Sequence, residues 1–257
     1  MIKLDRVCHA YGRGARKVQS LEEVSIEIGD EFLAIVGPSG SGKSTLLKIL
    51  AGFEQPSSGE VVWDGTPRTA MVFQDYSLLP WLTVRKNVEL YLRLHGAGPA
   101  ERARVSETLM AQLGLTAYAD LLPHELSGGM QQRVAIGRAF AQSPDVLLMD
   151  EPFGALDAMT RADAQSVLLR VHAERRCTVI FVTHDVEEAL ILSDRIVVLT
   201  PRPARVAEIV TVPFTRPRAQ DLRWTSNFVD LRRKVVSIMR REISSLLDRS
   251  DKSESGV

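Results

Sequence analysis

A glycine-rich segment between an apolar stretch and a leucine-rich one carries the first sign of chemistry. It consists of Gly37, Pro38, Ser39, Gly40, Ser41, Gly42, Lys43, Ser44 and Thr45. This pattern is typical of a P-loop, whose backbone N–H groups and following helix start surround phosphate oxygens. We expect the segment to bind a nucleotide, with Lys43 on the β- and γ-phosphates and Ser44 on Mg²⁺. A glycine-rich turn with a chance lysine is the alternative, and the strand–loop–helix context disfavours it.

A second pattern is an apolar run, Val146 to Met149, that ends in Asp150 and Glu151. P-loop enzymes place the carboxylate that holds Mg²⁺ at the end of such a strand, so Asp150 fits a metal role. Glu151 then stands where a general base could polarise water. A strand followed by an acidic turn is common in α/β proteins, and only the preceding P-loop makes the functional interpretation the stronger one.

A third pattern, here called the signature segment, is Leu126-Ser-Gly-Gly-Met-Gln-Gln-Arg133. A serine and two glycines at a helix start form another backbone anion site, although a simple helix cap would look the same. Combined with the P-loop, the segment resembles the signature of the ABC ATPase family. The resemblance implies that ATP with Mg²⁺ is the cofactor. It also implies that the ATP on one subunit is capped by the signature segment of another, through Ser127, Gly128, Gly129 and Gln131.

The resemblance implies roles for four further residues. Tyr11 matches the aromatic residue that stacks on adenine, although an ordinary surface tyrosine remains the alternative. Gln74 matches a glutamine that contacts Mg²⁺ and senses the partner, and Asp157 matches a loop that crosses the dimer interface. His184 matches the switch histidine on the γ-phosphate, where a lone histidine would usually be structural. The implied catalytic set is Glu151, His184, Gln74 and Lys43, and the implied metal set is Ser44, Gln74 and Asp150.

These residues require an α/β scaffold to position them. Strands are predicted at Ile2 to Val7, Val24 to Ile28, Phe32 to Val36, Val146 to Met149, Thr178 to Val182, Ile196 to Leu199 and Val206 to Val212. The spacing of apolar residues predicts helices at Ala162 to Ala173 and Phe228 to Leu247, and a helical stretch over 85–145. The resemblance implies a P-loop NTPase of the ABC ATPase type, with an N-terminal antiparallel β region and an inserted helical subdomain. The predicted boundaries are 1–215 for the ATPase domain, 216–247 for a helical extension and 248–257 for a disordered tail.

Composition excludes several classes of protein. Lys plus Arg and Asp plus Glu both number 32, so the formal net charge is zero and a nucleic-acid partner is not expected. Cys8 and Cys177 lie far apart and predict small core residues of a reducing compartment. The N-terminus lacks an apolar secretion signal, and no apolar run approaches the roughly 18 residues that span a bilayer. We therefore expect a peripheral subunit on the cytoplasmic face of the membrane, soluble when isolated.

Longer segments narrow the resemblance to the ATPases of nitrate, sulfonate and taurine importers. They are 75–84, 151–157 and 183–189. That group implies a homodimer, membrane permease subunits and, indirectly, a periplasmic or lipid-anchored solute-binding protein. The stretch from Gly59 to Met71 is shorter than the family usually has, which leaves the local hairpin geometry open. Export is the closest rival function, followed by a soluble ABC ATPase acting on nucleic acid or ribosomes, and by a pure ATP sensor.

The apolar run Leu78-Leu-Pro-Trp-Leu82 follows Gln74. We expect it to line a groove that receives a short cytoplasmic helix of the membrane subunit, because apolar anchors usually carry the binding energy of an interface. The alternative is that Trp81 is buried in the helical subdomain, as most tryptophans largely are.

Overall fold

The computed structural model describes residues 1–12, 14–218 and 220–254, without the side chains of residues 15, 220 and 246–254. The strands are β1 (Ile2–Tyr11), β2 (Val18–Ile28), β3 (Phe32–Val36), β4 (Ser58–Trp63), β5 (Thr69–Val72), β6 (Val146–Asp150), β7 (Thr178–Thr183), β8 (Arg195–Leu199) and β9 (Val206–Thr211). The helices are α1 (Lys43–Leu50), α2 (Val84–Val88), α3 (Leu90–Leu94), α4 (Pro99–Leu113), α5 (Gly128–Phe140), α6 (Ala158–Arg175), α7 (Val186–Leu192) and α8 (Ser226–Glu254). The chain forms two compact units: Met1–Gly65 with Ile180–Val257, and Thr66–Val179.

The first unit begins with an antiparallel sheet in the order β2-β1-β4. Apolar residues alternate along β1, so Ile2, Leu4 and Val7 are buried on one face. Register shifts between Leu4 and Val7 and again near His9 mark bulges in the pairing with β2. These bulges let β1 continue to Tyr11, beyond the predicted end at Val7.

The same unit contains a buried strand that leads into the P-loop. All five residues of β3 are buried, which is typical of a strand covered on both faces. It pairs in parallel with β8, and β9 pairs antiparallel to β8. Phe32 packs edge-to-face on Phe181 of β7 with the ring centroids 5.6 Å apart. This rigid strand fixes the point at which the chain turns into the P-loop and α1.

The second unit combines β5 and β6, which pair in parallel, with helices α2 to α6. Helix α5 packs closely on its neighbours because Gly137 leaves room for them: a Cβ there would lie 2.7 Å from Leu113 Cδ1 and 3.3 Å from Val88 Cγ2. The predicted helical stretch 85–145 therefore corresponds to α2 through α5, inside a unit that also includes two strands. Strands β4 and β5 pair with β1 and β6 respectively, so the stretch from Gly59 to Met71 joins two different pairings instead of forming one hairpin.

One sequence-based expectation needs correction: Cys8 and Cys177 are both only partly buried and are free thiols, so neither is a core residue. The domain boundaries at 215 and 247 stay predictions. Helix α8 continues to Glu254, inside the segment predicted as a disordered tail, and residues 255–257 lie outside the described residues. The extension predicted from residue 216 falls in the first compact unit. No described helix is long and apolar enough to cross a bilayer.

Candidate nucleotide-binding site

The P-loop lies in the first unit, between β3 and α1. Gly42 is the N-cap residue of α1 and has φ +98°; as a glycine it has no side chain that could cap the helix. A glycine-rich loop that leads into the start of a helix is the arrangement that binds anions. A Cβ at Gly42 would lie 3.0 Å from Ser20 O, and one at Gly37 would lie 2.9 Å from Ser41 Oγ. Glycine is needed at both positions so that the loop can close.

Lys43 folds back on the P-loop. Its Nζ donates to Gly37 O and Pro38 O, each at 3.0 Å, and the side chain is buried. The ammonium group is thus held at the centre of the loop, the position from which it can balance phosphate charge. Ser44 is exposed on the first turn of α1. Ser41 Oγ is buried without a hydrogen-bond partner, a polar atom that a ligand of the loop could satisfy.

Tyr11 lies at the end of β1 beside the P-loop helix. Its hydroxyl donates to Thr45 Oγ1 at 3.2 Å, and Ser20 Oγ donates to the same oxygen at 3.1 Å. The Tyr11 ring packs edge-to-face against His9, with centroids 4.7 Å apart, and remains 37% exposed. Thr45 is therefore a buried anchor of the loop, and one face of the tyrosine ring is accessible.

His184 occupies the turn between β7 and α7. The backbone N–H of Asp185 donates to Thr183 Oγ1 at 3.0 Å, which tightens the turn. Asp185 then caps α7 by accepting from Glu187 N and Glu188 N at 2.8 and 3.2 Å. His184 itself is exposed. Two hydrogen-bonded neighbours thus hold the backbone of a solvent-facing histidine.

In the second unit, β6 ends in the predicted acidic pair. Asp150 and Glu151 are both half-buried, and Glu151 has a left-handed φ of +42°. Left-handed backbone is costly for a residue with a long side chain and is concentrated at functional sites. The Glu151 carboxylate reaches close to Gly154, where a Cβ would be 3.5 Å from Oε2. A strained backbone and an adjacent glycine together define the direction of this carboxylate.

The signature segment begins α5. Ser127 is the N-cap, and its Oγ accepts from Met130 N at 3.4 Å, so Ser127 and Gly128 are exposed at the helix start. A Cβ at Gly129 would lie 2.1 Å from Thr160 Cγ2, so only glycine fits there. Gln131 folds back on the residues that precede the helix: its amide donates to Pro123 O and Leu126 O at 3.0 and 3.2 Å. Gln131 therefore fixes the preceding turn.

Asp157, the residue implied at a dimer interface, caps α6. Its Oδ1 accepts from Met159 N at 3.0 Å and from Thr160 N at 3.1 Å. Hydrogen bonds from the Thr160 side chain and backbone lower the pKa of Asp157, which stays ionised at neutral pH. Thr160 therefore contacts both Asp157 and Gly129, and it joins the N-terminal turn of α6 to the signature segment.

The segment after Gln74 exposes an apolar residue. Gln74 is exposed, and Trp81 is 71% exposed, so the alternative of a buried tryptophan is wrong. Asn87, which is fully buried, holds this segment: its Oδ1 accepts from Leu79 N at 2.9 Å, and its Nδ2 donates to Leu79 O and Leu82 O at 3.1 and 2.9 Å. A rigid turn therefore presents Trp81 to solvent.

Three residues near these segments were not predicted. Arg202 donates from Nε to Gly40 O of the P-loop at 3.1 Å. Arg138 donates to Tyr76 O and Ser77 O, and Asn87 holds the turn before Trp81. Each of these three side chains bonds to backbone atoms of residues that are distant in sequence or lie on the next turn. Residue type alone does not predict such a contact.

Two residues of the implied metal set carry hard oxygen donors of the kind that Mg²⁺ prefers: Ser44 has a hydroxyl in the first unit, and Asp150 has a carboxylate in the second. Within the described ranges, no cluster of three or more His, Cys, Asp or Glu side chains could hold a metal.

Comparisons with known proteins agree with this geometry. A family model described as ABC transporter matches residues 21–154. An uncharacterized ABC transporter ATP-binding protein of Methanocaldococcus jannaschii is 43% identical over 94% of this chain and 92% of its own. The bicarbonate transport ATP-binding protein CmpD of Synechocystis is 42% identical over 86% of this chain and 82% of its own. The nitrate import ATP-binding protein NrtC of Synechococcus elongatus is 45% identical over 89% of this chain but 36% of that longer protein.

A solved structure extends the likeness to three dimensions. The ATP-binding cassette MJ0796, a dimer in a post-hydrolysis state bound to ADP and Pi, superposes with a TM-score of 0.74 at 34% identity. The match covers 84% of this chain and all of that one. The fold and the P-loop place the chain in the class of ATP-binding P-loop ATPases. The chain belongs to the ABC transporter family, and it is an ATP-hydrolysing enzyme of that family.

Proposed function

We propose that this chain dimerises around ATP and energises the import of a small solute through a partner membrane permease, at the cytoplasmic face of the membrane. The observation that carries the proposal is the coexistence of a complete P-loop, a strained Glu151 and an exposed signature segment in one chain. The names of NrtC and CmpD, nitrate import and bicarbonate transport proteins, favour a small oxyanion as the solute. A sulfonate such as taurine has the same anionic chemistry.

In this proposal the P-loop of one subunit holds ATP, with Tyr11 against the adenine and Lys43 on the phosphates. Ser127 and the glycines after it cap the γ-phosphate of the partner subunit's ATP. Glu151 accepts a proton from the attacking water, and His184 stabilises the charge that develops on the γ-phosphate. Closure of the dimer excludes water from the site, which strengthens these interactions. Ser44, Asp150 and Gln74 are the residues that would hold Mg²⁺, and the ion would supply positive charge to neutralise the phosphates.

The turn containing Trp81 is the proposed docking point of the permease. An exposed tryptophan in a rigid turn is the typical anchor of a protein–protein interface. Because Asn87 already fixes the turn, little conformational entropy is lost when a partner helix binds. A solute-binding protein outside the membrane would deliver the solute to that permease.

Glu151→Gln tests the ATPase cycle. The variant keeps the shape of the side chain but cannot accept a proton, so it should bind ATP, lose turnover by about a hundredfold or more, and accumulate as an ATP-dependent dimer. Phosphate release and gel filtration with and without ATP measure the two effects. Glu101→Gln, an exposed glutamate of α4, is the matched control. Wild-type turnover in Glu151→Gln would show that another group is the base.

Affinity capture from native membranes tests the partner. A tagged copy should retain a polytopic membrane protein in mild detergent, and Trp81→Ala or Leu79→Ser should release it while the ATPase of the free subunit stays near normal. Trp224→Ala removes an equally exposed tryptophan, 85% accessible, from the other unit and should leave the complex intact. Recovery of ribosomal or DNA-associated proteins instead would move the function to a soluble ABC ATPase.

A further inference from the structure

Two consecutive residues after Gln74 have a backbone conformation that side chains other than glycine rarely adopt. Tyr76 and Ser77 have φ of +56° and +48°. Each left-handed residue of this kind is unfavourable for a side chain other than glycine, so two in succession need stabilising contacts from elsewhere. The short hydrogen bond from Ser77 N to Asp75 O, 2.5 Å, shows how tightly the chain is turned here.

Arg138 of α5 supplies those contacts. Its Nη1 donates to Ser77 O at 2.6 Å and its Nη2 donates to Tyr76 O at 2.8 Å, so one guanidinium spans the two carbonyls. The planar fork of arginine suits such paired acceptors, whereas the point charge of a lysine cannot reach both equally. Burial lowers the pKa of Arg138 and raises the pKa of Tyr76, so both side chains are partly removed from water.

The same turn touches the other end of α5. A Cβ at Gly128 would lie 3.7 Å from the Tyr76 hydroxyl and 3.6 Å from Leu156 Cδ2, so the Tyr76 side chain packs beside the first residue of the helix. Gly128 and Arg138 are about three helical turns apart. Helix α5 is therefore bound to the 76–77 turn at Arg138 and contacts it again at the signature segment. On its far side the turn continues into the segment that Asn87 fixes below Trp81.

We infer that Arg138 is a positioning residue that couples the Trp81 docking turn to the signature segment, by holding Tyr76 and Ser77 in the conformation that places the Tyr76 hydroxyl beside Gly128. A permease that moves the docking turn would then change the geometry of the residues that cap ATP on the other subunit. This inference rests on the proposed function for the meaning of the coupling, but the contacts themselves lie within one compact unit.

The decisive experiment introduces Arg138→Met into the Glu151→Gln background. The expected result is that ATP-driven dimerisation, followed by analytical ultracentrifugation, weakens about tenfold, the loss of one charge-assisted contact. Binding of MANT-ATP to the isolated subunit, which depends on the P-loop, should stay within about twofold, since Arg138 does not belong to that site. Arg104→Met, an exposed arginine of α4, is the matched control and should change neither quantity.

A second substitution distinguishes a positioning role of Arg138 from a simple loss of its side-chain packing. Ser77→Gly removes the cost of the left-handed conformation, so in the Arg138→Met background it should restore dimerisation to within about threefold of the parent. Arg138→Lys should give an intermediate loss. Unchanged dimerisation in Arg138→Met, an equal loss of MANT-ATP binding, or no recovery with Ser77→Gly would each overturn the inference.

Hydrogen exchange makes the test independent of dimerisation. In the nucleotide-free full chain, Arg138→Met should speed amide exchange at residues 75–79 and also at 127–131, and Ser77→Gly should slow both again. Fast exchange confined to 75–79 would contradict coupling to the signature segment. If Glu151→Gln forms no dimer with ATP, the proposed function fails, and the exchange at 127–131 still decides this inference.

Discussion

The hydroxyl of Tyr11 donates a hydrogen bond to Thr45 Oγ1 at 3.2 Å, which ties the end of β1 to the last residue of the P-loop. The two residues are distant in sequence, and Ser20 Oγ donates to the same oxygen from β2. The tyrosine ring is therefore fixed in orientation beside the phosphate site before any nucleotide binds. In the proposed function adenine stacks on this ring, and a ring fixed in advance loses less entropy on stacking.

Substitutions of Tyr11 should distinguish the contribution of its ring to nucleotide binding from that of its hydroxyl group. Tyr11→Phe keeps the stacking face and loses the anchor, so the Kd for MANT-ATP should rise about two- to threefold; Tyr11→Ala loses both and should raise it about tenfold. Fluorescence titration measures the Kd. Tyr118→Phe, another partly exposed tyrosine, is the control. Equal effects of Phe and Ala would show that the ring does not contact the base.

Gly129→Ala should destabilise the chain through one contact. The new Cβ would meet Thr160 Cγ2 at 2.1 Å, and overpacking of this kind costs about 1–3 kcal/mol in the free energy of unfolding. Thr160→Ser deletes the clashing methyl group but keeps the hydroxyl that bonds to Asp157, so the double variant should recover most of the loss. Urea denaturation measures each free energy. A double variant no more stable than Gly129→Ala would place the strain elsewhere.

The reactivity of Cys177 should depend on pH in a defined range. Burial, with a smaller contribution from Asp145, raises the pKa of this thiol from 9.0 to about 11. Because the folded chain keeps the proton after the unfolded chain has lost it, the resulting stability is complete below pH 9 and is lost as the pH rises through 11. Since the thiolate is the nucleophile, iodoacetamide labelling of Cys177 in a Cys8→Ser variant should have its midpoint near pH 11.

The labelling rate in urea gives the control for that measurement. Once the chain is unfolded, the same cysteine should titrate near pH 9, so the two curves should differ by the effect of burial together with the smaller effect of Asp145. A native midpoint near 9 would mean that solvent reaches the sulfur and that the partial burial of Cys177 is not maintained in solution.

Arg218→Met should weaken the attachment of the C-terminal extension. The side chain is 1% exposed, and its Nη1 donates to Leu190 O and Ile191 O at 3.0 and 2.8 Å, the last carbonyls of α7. Burial lowers the pKa of Arg218 to about 10, yet the group remains charged at neutral pH. Removing a charged donor from helix-end carbonyls should cost about 2 kcal/mol.

Arg233→Met is the matched control for that substitution. Arg233 lies on α8, is 74% exposed and pairs with Asp230 at 2.9 Å, so its loss should change the free energy of unfolding by less than about 0.5 kcal/mol. Thermal and urea unfolding measure both variants. Similar values for Arg218→Met and Arg233→Met would show that the extension contributes little to the stability of its unit.

The sequence predicts strands and helices best where apolar residues form a continuous run or recur with a regular period. The strands Phe32–Val36 and Val146–Asp150 agree with prediction to within a residue, since continuous apolar runs of that length fit only buried strands here. Boundaries were less accurate where polar residues continue an element. The predicted boundary at 247 lies inside α8, which continues to Glu254 through a polar stretch whose composition suggested disorder.

The sequence by itself determined the family, the P-loop, the acidic end of β6 and the signature segment, because each depends on residue types at fixed local spacing. Only the tertiary structure decided which side chains hold those segments in shape. Arg138 on the 76–77 turn, Asn87 below Trp81 and Thr160 against Gly129 act on atoms contributed by another element or the neighbouring turn. A contact of that kind depends on how elements pack, and packing is not encoded in local spacing.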